Sequence, residues 1–296
     1  MITAQSLYVD LVKPSCSRLC RNRKTWYNQR KAIICKVMEL IPVQEIHTCE
    51  VTEKRELTEN VFSLKIICPA VAEAARAGQF VMVRCGAERV LRRPISICRI
   101  SGETIELVFE RKGGGTRWLA ECARGHMLDI LGPLGNGFDL PSGRVIMIGG
   151  GIGAPPLLFA AESLRGRADC ILGFRSAANV ILAEDFRQVC GKVILTTDDG
   201  SLGLHGTVAG PLEELLKEGG YEAVAACGPR PMLSAVASLS RLYAVKCFVS
   251  LEERMGCGVG ACVVCACETT ASGGERTMSR VCRDGPVFDA HDVVWE

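Results

Sequence analysis

Residues 144–164 read RVIMIGGGIGAPPLLFAAESL, and three signals follow one another within them. RVIMI (144–148) reads as a buried parallel strand, because VIMI (145–148) is a short, uninterrupted apolar run of the kind buried on both faces of such a sheet. GGGIG (149–153) is a turn in which Gly149, Gly150, Gly151 and Gly153 let backbone N–H groups at a helix start approach a pyrophosphate, which the helix dipole favours. PPLLFAAESL (155–164) reads as a helix with proline in its first turn, where the missing N–H costs nothing. CILGF, KVILT and AVAAC repeat the strand signal downstream, with a helical stretch after the last. The pattern predicts a nucleotide-binding α/β domain with a parallel sheet over 142–247. A glycine run alone is weak evidence, because tight strand-to-helix turns need glycine anyway. This one also departs from the dinucleotide pattern GxGxxG: counted from Gly151 the last position is Pro156, and Asp169 precedes its strand instead of ending it.

Ahead of this domain the signals are those of strands. FVMVRC (80–85) and TIELVFER (104–111) are rich in Val, Ile and Phe, the second alternating at Ile105, Leu107 and Phe109, with turn residues on either side. A small antiparallel β-barrel over 38–141 is expected. The first 37 residues stand apart, holding eight of the 35 Lys/Arg and one of the 33 acids, so that the remainder carries 27 basic against 32 acidic groups. Such a leader suits a transit peptide, and equally an upstream stretch included by an early start codon. Residues 1–37 are expected to be a disordered or non-native extension.

The 296 residues, 48% apolar with a formal charge of +2, have room for two ordinary domains and a small third, and no charge excess that would suit a polyanion. Seventeen cysteines suggest a secreted disulfide protein, but that class is small and opens with a secretory signal, whereas here Asp10 and Lys13 interrupt any apolar start. The apolar region 145–161 is too short and too rich in Gly and Pro to span a bilayer. A reducing, cytoplasmic setting is expected, where clustered thiols hold metal.

The densest cluster is GCGVGACVVCAC, residues 256–267. Cys257, Cys262 and Cys265 are spaced C-x4-C-x2-C, the spacing of plant-type 2Fe–2S sites, and Cys282 in RVCRDGPVF supplies the fourth thiolate. Zinc prefers paired C-x2-C knuckles, and only one is present. Gly256, Gly258 and Gly260 allow the loop to wrap closely and aim N–H groups at the sulfurs. Cys267 breaks the spacing and is the spare thiol. Residues 248–296 are expected to form a small C-terminal 2Fe–2S segment.

RPIS (93–96), GGGIGAPPL (149–157) and CGPRPM (227–232) together resemble the ferredoxin–NADP reductase superfamily, in which a flavin-binding barrel precedes a nicotinamide-binding domain. The resemblance implies that Arg93 meets the FAD pyrophosphate, since a guanidinium fork suits phosphate oxygens. Pro94, Ile95 and Ser96 then lie along the flavin, Ser96 beside its reactive edge, and Val108, Phe109 and Glu110 complete that wall. KGGGT (112–116) looks like the family's second phosphate contact, through Gly115 and Thr116. Cys227, Gly228 and Pro229 fall near the nicotinamide of NAD, where Cys227 has a positioning role and no proton to transfer. NAD over NADP rests on the resemblance, because Arg175 in GFRSAANV follows a strand where a 2′-phosphate could meet it.

With LGPLGNGF, EERMGCGVGACVVCAC and VCRDGPVF added, residues 45–296 resemble the electron-transfer subunits of NAD-linked dihydroorotate dehydrogenases. Nicotinamide takes a hydride and an iron–sulfur cluster single electrons, so the flavin must lie between them. No region of domain size remains for oxidising an organic substrate. The resemblance implies a separate FMN-containing catalytic subunit, in a heterotetramer of two plus two, that oxidises dihydroorotate in pyrimidine biosynthesis. Other classes fit the same centres: a stand-alone NADH-dependent diaphorase or oxygenase reductase, or the small subunit of an NADH-dependent ferredoxin–NADP oxidoreductase, whose cluster loop lacks the C-x4-C-x2-C series. A binding module that has lost its centres is a further alternative, against which intact RPIS and four spaced thiols argue.

Overall fold

Alternating side chains in TIELVFE form a strand with two buried faces, because each face has its own core. The computed structural model describes residues 45–271 and 274–295 of the chain, so the expected extension over 1–37 lies outside the described residues. Its first strands are β1 (Ile46–Thr58), β2 (Val61–Ile67), β3 (Phe80–Val83), β4 (Arg93–Ser101), β5 (Thr104–Glu110) and β6 (Met127–Leu134). They close an antiparallel barrel in the order β1-β2-β5-β4-β3-β6. Two short helices, α1 (Pro69–Ala74) and α2 (Gly114–Glu121), lie between strands. Ile105, Leu107 and Phe109 fill the barrel, whereas Val108, on the opposite face of β5, joins the core of the next domain.

That domain is the expected strand, turn, helix series: β7 (Val145–Gly150), α3 (Ala154–Ser163), β8 (Ala168–Phe174), α4 (Ala183–Val189), β9 (Val193–Thr197), β10 (Leu204–His205), α5 (Ala209–Glu218), β11 (Ala223–Cys227), α6 (Arg230–Leu242) and β12 (Lys246–Ser250). Its ten strand positions 145–150 and 223–226 are wholly buried, as the unbroken apolar runs require. The chain then makes a hairpin of β13 (Ala266–Thr270) and β14 (Arg276–Arg280) before β15 (Val287–Asp289) returns to the sheet. The sheet order is β10-β9-β8-β7-β11-β12-β15, parallel except for β15, which runs antiparallel to β12. The expected division at 247/248 therefore falls inside β12, and the C-terminal segment is tied to the sheet at both of its ends.

Successive strands step away from β7 in one direction through β8 and β9, then in the other through β11 and β12. The order reverses between β7 and β11, and the crevice outside the carboxyl ends of strands at such a reversal is where open α/β sheets bind ligands. Gly149 and Cys227 are register partners there.

Asp169 belongs to the opposite end of the sheet. It is buried near the start of β8, where its Oδ2 accepts hydrogen bonds from Arg144 Nη2 at 2.6 Å and Tyr221 Oη at 2.7 Å. The same Arg144 nitrogen also donates to Tyr221 Oη at 3.0 Å. Asp169, expected to precede its strand, is the second residue of β8 and makes a structural ion pair, which holds the loop before β11 against the start of β7. Asp169→Ala should lower stability by about 1–3 kcal/mol, because it leaves a buried hydroxyl without its acceptor. Urea unfolding measures this.

Candidate functional site

A cavity of about 840 Å³ opens between the barrel and the carboxyl edge of the sheet, within the size range of nucleotide-cofactor sites. Of the barrel residues singled out in the sequence, Pro94, Ile95, Ser96, Val108, Phe109, Glu110 and Thr116 line it. From the sheet domain Gly150, Gly151, Gly153, Cys227, Gly228 and Pro229 line it too. Three remain outside the lining. Gly149 faces α3, where an added Cβ would lie 3.0 Å from both Ala154 Cα and Leu172 Cδ2, so it serves close helix-on-strand packing. Arg93 and Gly115 pack on each other: a Cβ at Gly115 would collide with the guanidinium.

This contact joins the two expected phosphate sites into one. Arg93 donates from Nη1 to the Leu91 carbonyl at 2.6 Å, which holds its head over the amino end of α2. There Thr116 Oγ1 accepts from the N–H groups of Lys112 at 2.9 Å and Gly113 at 3.1 Å. A fixed cation beside a helix amino terminus is an arrangement suited to a diphosphate.

On the sheet side, Gly153 lets the turn after β7 press against the next strand's end. A Cβ there would strike the Cys227 carbonyl and lie 2.7 Å from Gly228 N. Burial pushes the Cys227 thiol up to about 12, with the Ser250 hydroxyl opposing and Glu252 adding to the shift. It is a neutral thiol at pH 7, which suits a packing group and excludes a thiolate nucleophile. Several lining groups carried no signal in the sequence: Ser250, Glu252 and Glu253 at the end of β12, and Thr196 and Asp198 at the end of β9. Among the described residues, buried Thr196 Oγ1 has no hydrogen-bond partner, a group that a water or a polar ligand atom would satisfy. Arg175 and Asp198, just past the ends of β8 and β9, line the same cavity.

The four spaced cysteines come together in the loop before β13 and at the end of β14. Backbone N–H groups of Val259, Ala261 and Cys262 donate to Cys257 Sγ at 3.4, 3.2 and 3.4 Å. Gly260 N donates to Cys282 Sγ at 3.2 Å and Cys282 N to Cys265 Sγ at 3.4 Å. The sulfurs group two and two, Cys257 with Cys262 and Cys265 with Cys282. Among the described residues no three Cys, His, Asp or Glu side chains converge as a single-ion site. Two pairs, in place of one tetrahedron, fit two irons sharing four thiolates.

The charge balance of the loop agrees. Burial opposes ionisation of Cys257, but the N–H groups of Cys262, Val259 and Ala261 outweigh it and lower the thiol to about 6. Burial, and then the adjacent Cys265, push Cys282 up to about 12; a coordinating cation removes that proton outright. Cys267 is buried in β13 and receives none of these N–H groups; burial pushes it up to about 11. Gly258 (φ +77°) docks the loop on the barrel, where a Cβ would fall 2.6 Å from Met82 Cγ. Met82 is the register partner of Pro94, so one strand separates the thiol loop from the RPIS wall of the cavity. Among the described residues no helix is long and apolar enough to cross a membrane.

Comparison with known proteins agrees with this layout. Residues 252–294 match the family model described as the iron-sulfur cluster binding domain of dihydroorotate dehydrogenase B. Among solved structures, the chain is similar to one of an NADH-dependent reduced ferredoxin–NADP oxidoreductase involved in flavin-based electron bifurcation. The two share 29% identity and a TM-score of 0.75, over 84% of this chain and 90% of that one. The ferredoxin reductase of carbazole 1,9a-dioxygenase, with a TM-score of 0.60 and 22% identity over 68% of this chain and 67% of the other, shares the fold. The dihydroorotate dehydrogenase B (NAD(+)) electron transfer subunit of Bacillus caldolyticus is 41% identical over 255 residues, 82% of this chain and 96% of that protein. Its counterpart in Enterococcus faecalis is 38% identical over 262 residues, 85% of this chain and 98% of that one. With relatives this similar along almost their whole length, and a cluster segment matched by the family's own model, this chain belongs to the family of electron transfer subunits of dihydroorotate dehydrogenase B.

Proposed function

We propose that this chain carries electrons from an FMN-containing catalytic subunit, which oxidises dihydroorotate to orotate, to NAD+, using a 2Fe–2S cluster and FAD that it binds itself. When bound, FAD exchanges a hydride with nicotinamide and single electrons with the cluster. The observation that carries the reading is the adjacency of three sites: a thiol loop seated on Met82, the RPIS strand beside it, and the GGGIG and CGP turns across the same cavity. The C-x4-C-x2-C loop and the match over 252–294 favour this over a ferredoxin–NADP oxidoreductase subunit of similar fold.

The chain's own groups have distinct tasks. Arg93, Gly115 and Thr116 hold the FAD diphosphate; Pro94, Ile95, Ser96, Val108, Phe109 and Glu110 form the wall along the flavin. Gly150, Gly151, Gly153, Cys227, Gly228 and Pro229 hold NAD across the cavity, with Gly149 packing the turn beneath. Cys257, Cys262, Cys265 and Cys282 hold the cluster, and the loop's N–H groups stabilise their negative charge. The barrel, the sheet domain and the cluster segment each supply one site. A reducing cytoplasm suits a chain of seventeen cysteines whose described members are all free thiols.

Replacing any of Cys257, Cys262, Cys265 or Cys282 with Ser should abolish the 2Fe–2S absorbance and the EPR signal of the reduced protein, since a hard alkoxide replaces thiolate poorly. Cys267→Ser should leave both; a bleached cluster in that variant would overturn the ligand set. Arg93→Ala removes a charge-assisted contact of about 1.5–3 kcal/mol, so FAD should bind roughly ten- to a hundredfold more weakly. Fluorescence of FAD released on dialysis measures this.

Purified alone, the chain should reduce dyes with NADH and leave dihydroorotate untouched. Mixed with its FMN-containing partner it should support NAD+ reduction by dihydroorotate. Cys257→Ser should fail in that coupled assay while retaining part of its dye activity. An undiminished coupled rate from a cluster-free, FAD-loaded complex would overturn the route.

A further inference from the structure

Strand β4 holds a second feature besides RPIS. Its pairing with β5 shifts register between Ile97 and Arg99, a bulge at Cys98. Bulges re-aim side chains, and here two consecutive residues leave the barrel together. Ile97 points into the barrel core, Cys98 is buried in the core of the sheet domain, and Arg99 follows it outward. Arg99 Nε donates to Glu162 Oε1 of α3 at 2.5 Å and Nη1 to Asp185 Oδ1 of α4 at 2.9 Å. Glu106 of β5, whose Oε1 already accepts from Arg55 Nη2 at 2.7 Å and whose Oε2 has no hydrogen-bond partner among the described residues, lies 3.9 Å from the same Nη1. One guanidinium therefore serves three carboxylates on three elements, and all three side chains of the two short ion pairs are about a quarter exposed.

We propose that Arg99 is a positioning residue for hydride transfer, fixing the nicotinamide turn against the flavin wall. This rests on the function proposed for the same cavity. Arg99 lies three residues beyond Ser96, roughly 10 Å along a strand that rises about 3.3 Å per residue. Glu162 lies eight residues beyond Ala154, roughly 12 Å along α3 at about 1.5 Å per residue. The strand that carries the flavin contact and the helix whose amino end carries the nicotinamide turn are thus joined at their far ends. Phe159 of α3 packs on the barrel core between these ends, so the helix has an apolar bearing along its length and a charged stop at its end. An apolar bearing resists separation but not sliding; a guanidinium held by two carboxylates resists both. Two rings that exchange a hydride lose rate steeply with misplacement, and about 1 Å can cost about a hundredfold.

The test uses the chain loaded with FAD and cluster, mixed anaerobically with NADH or 4-deuterated NADH in a stopped-flow instrument. Arg99→Met should keep its FAD content, change the affinity for NAD+ by less than about threefold, and slow reduction of the bound FAD roughly ten- to a hundredfold. The deuterium isotope effect should change with it, and Arg99→Lys should recover part of the rate. Hydrogen exchange of the same loaded proteins should show faster exchange in the last turn of α3 in Arg99→Met. Glu162→Ala and Asp185→Ala, which each remove one carboxylate partner and leave Arg99, give the same readout should Arg99→Met fold poorly. Faster exchange or lower melting temperature, with hydride transfer and isotope effect as in the unaltered chain, would make the cluster of charges a stabilising contact only and overturn the proposal. Failure of the unaltered chain to reduce its FAD with NADH would instead count against the proposed function, because the Arg99 effect is read as a ratio to that rate.

Discussion

The burial of the barrel's outer face is the constraint on which the rest depends. β4 and β5 turn one side into the barrel and the other into the core beneath α3, so Val108 and Cys98 are as fully buried as the residues inside. Burying a side chain of the size of valine contributes about 1.5–3 kcal/mol, and here it does so only when the two domains meet in one orientation. A polar outer face, usual for a small barrel, would leave the domains free to move apart. The strand that bears RPIS is thereby held at a set distance from the turn that bears GGGIG. Both cofactor sites become walls of a single cavity for that reason.

The cluster loop is attached by the same logic from the other side. It contains too few apolar side chains to form a core, and Val259, Val263 and Val264 are exposed. What order it has comes from N–H groups directed at sulfur, from Gly258 against Met82, and from the two strands at its borders, β12 before it and β15 after it. Asn136, in the turn that follows β6, donates through Nδ2 to the Asp284 carbonyl at 2.9 Å, while its N–H reaches the Gly285 carbonyl at 2.6 Å. The segment after Cys282 is thereby tied to the barrel before it re-enters the sheet. A loop with little core of its own gains rigidity by spanning two bodies that have one.

The parts legible in the sequence were those set by local chemistry. Alternation at Ile105, Leu107 and Phe109, the unbroken apolar run VIMI (145–148), and the glycine turn were enough for the barrel, the parallel sheet and their order. The thiol spacing was enough for the cluster because two irons impose distances on four sulfurs whatever the surrounding fold. Less local features left no such mark. β15 is three residues long and pairs with a strand almost forty residues earlier, a contact that no periodicity announces. The same holds for Ser250, Glu252 and Thr196, ordinary residues that line the cavity because the carboxyl ends of β12 and β9 open onto it. Arg99 is the hardest case: a basic residue on a barrel strand reads as solvated surface, and only the bulge at Cys98 turns it toward α3 and α4.

Polarity is distributed along this interface in a way that fits hydride exchange. The cavity wall between the two expected ring sites includes Pro94, Ile95, Val108, Phe109 and a Cys227 thiol that burial keeps neutral, and Glu110, Lys112, Arg175, Asp198, Glu252 and Glu253 line the same cavity. Further charges stand outside that lining: Arg93 over the amino end of α2, Arg99 with its carboxylates behind the bulge, and the thiol loop beyond Met82. The attraction within the Arg99 cluster is strongest where partial burial limits screening. Carriers of this type need alignment more than acid–base assistance, and the fold supplies it through packing in the middle and ion pairs at the rim.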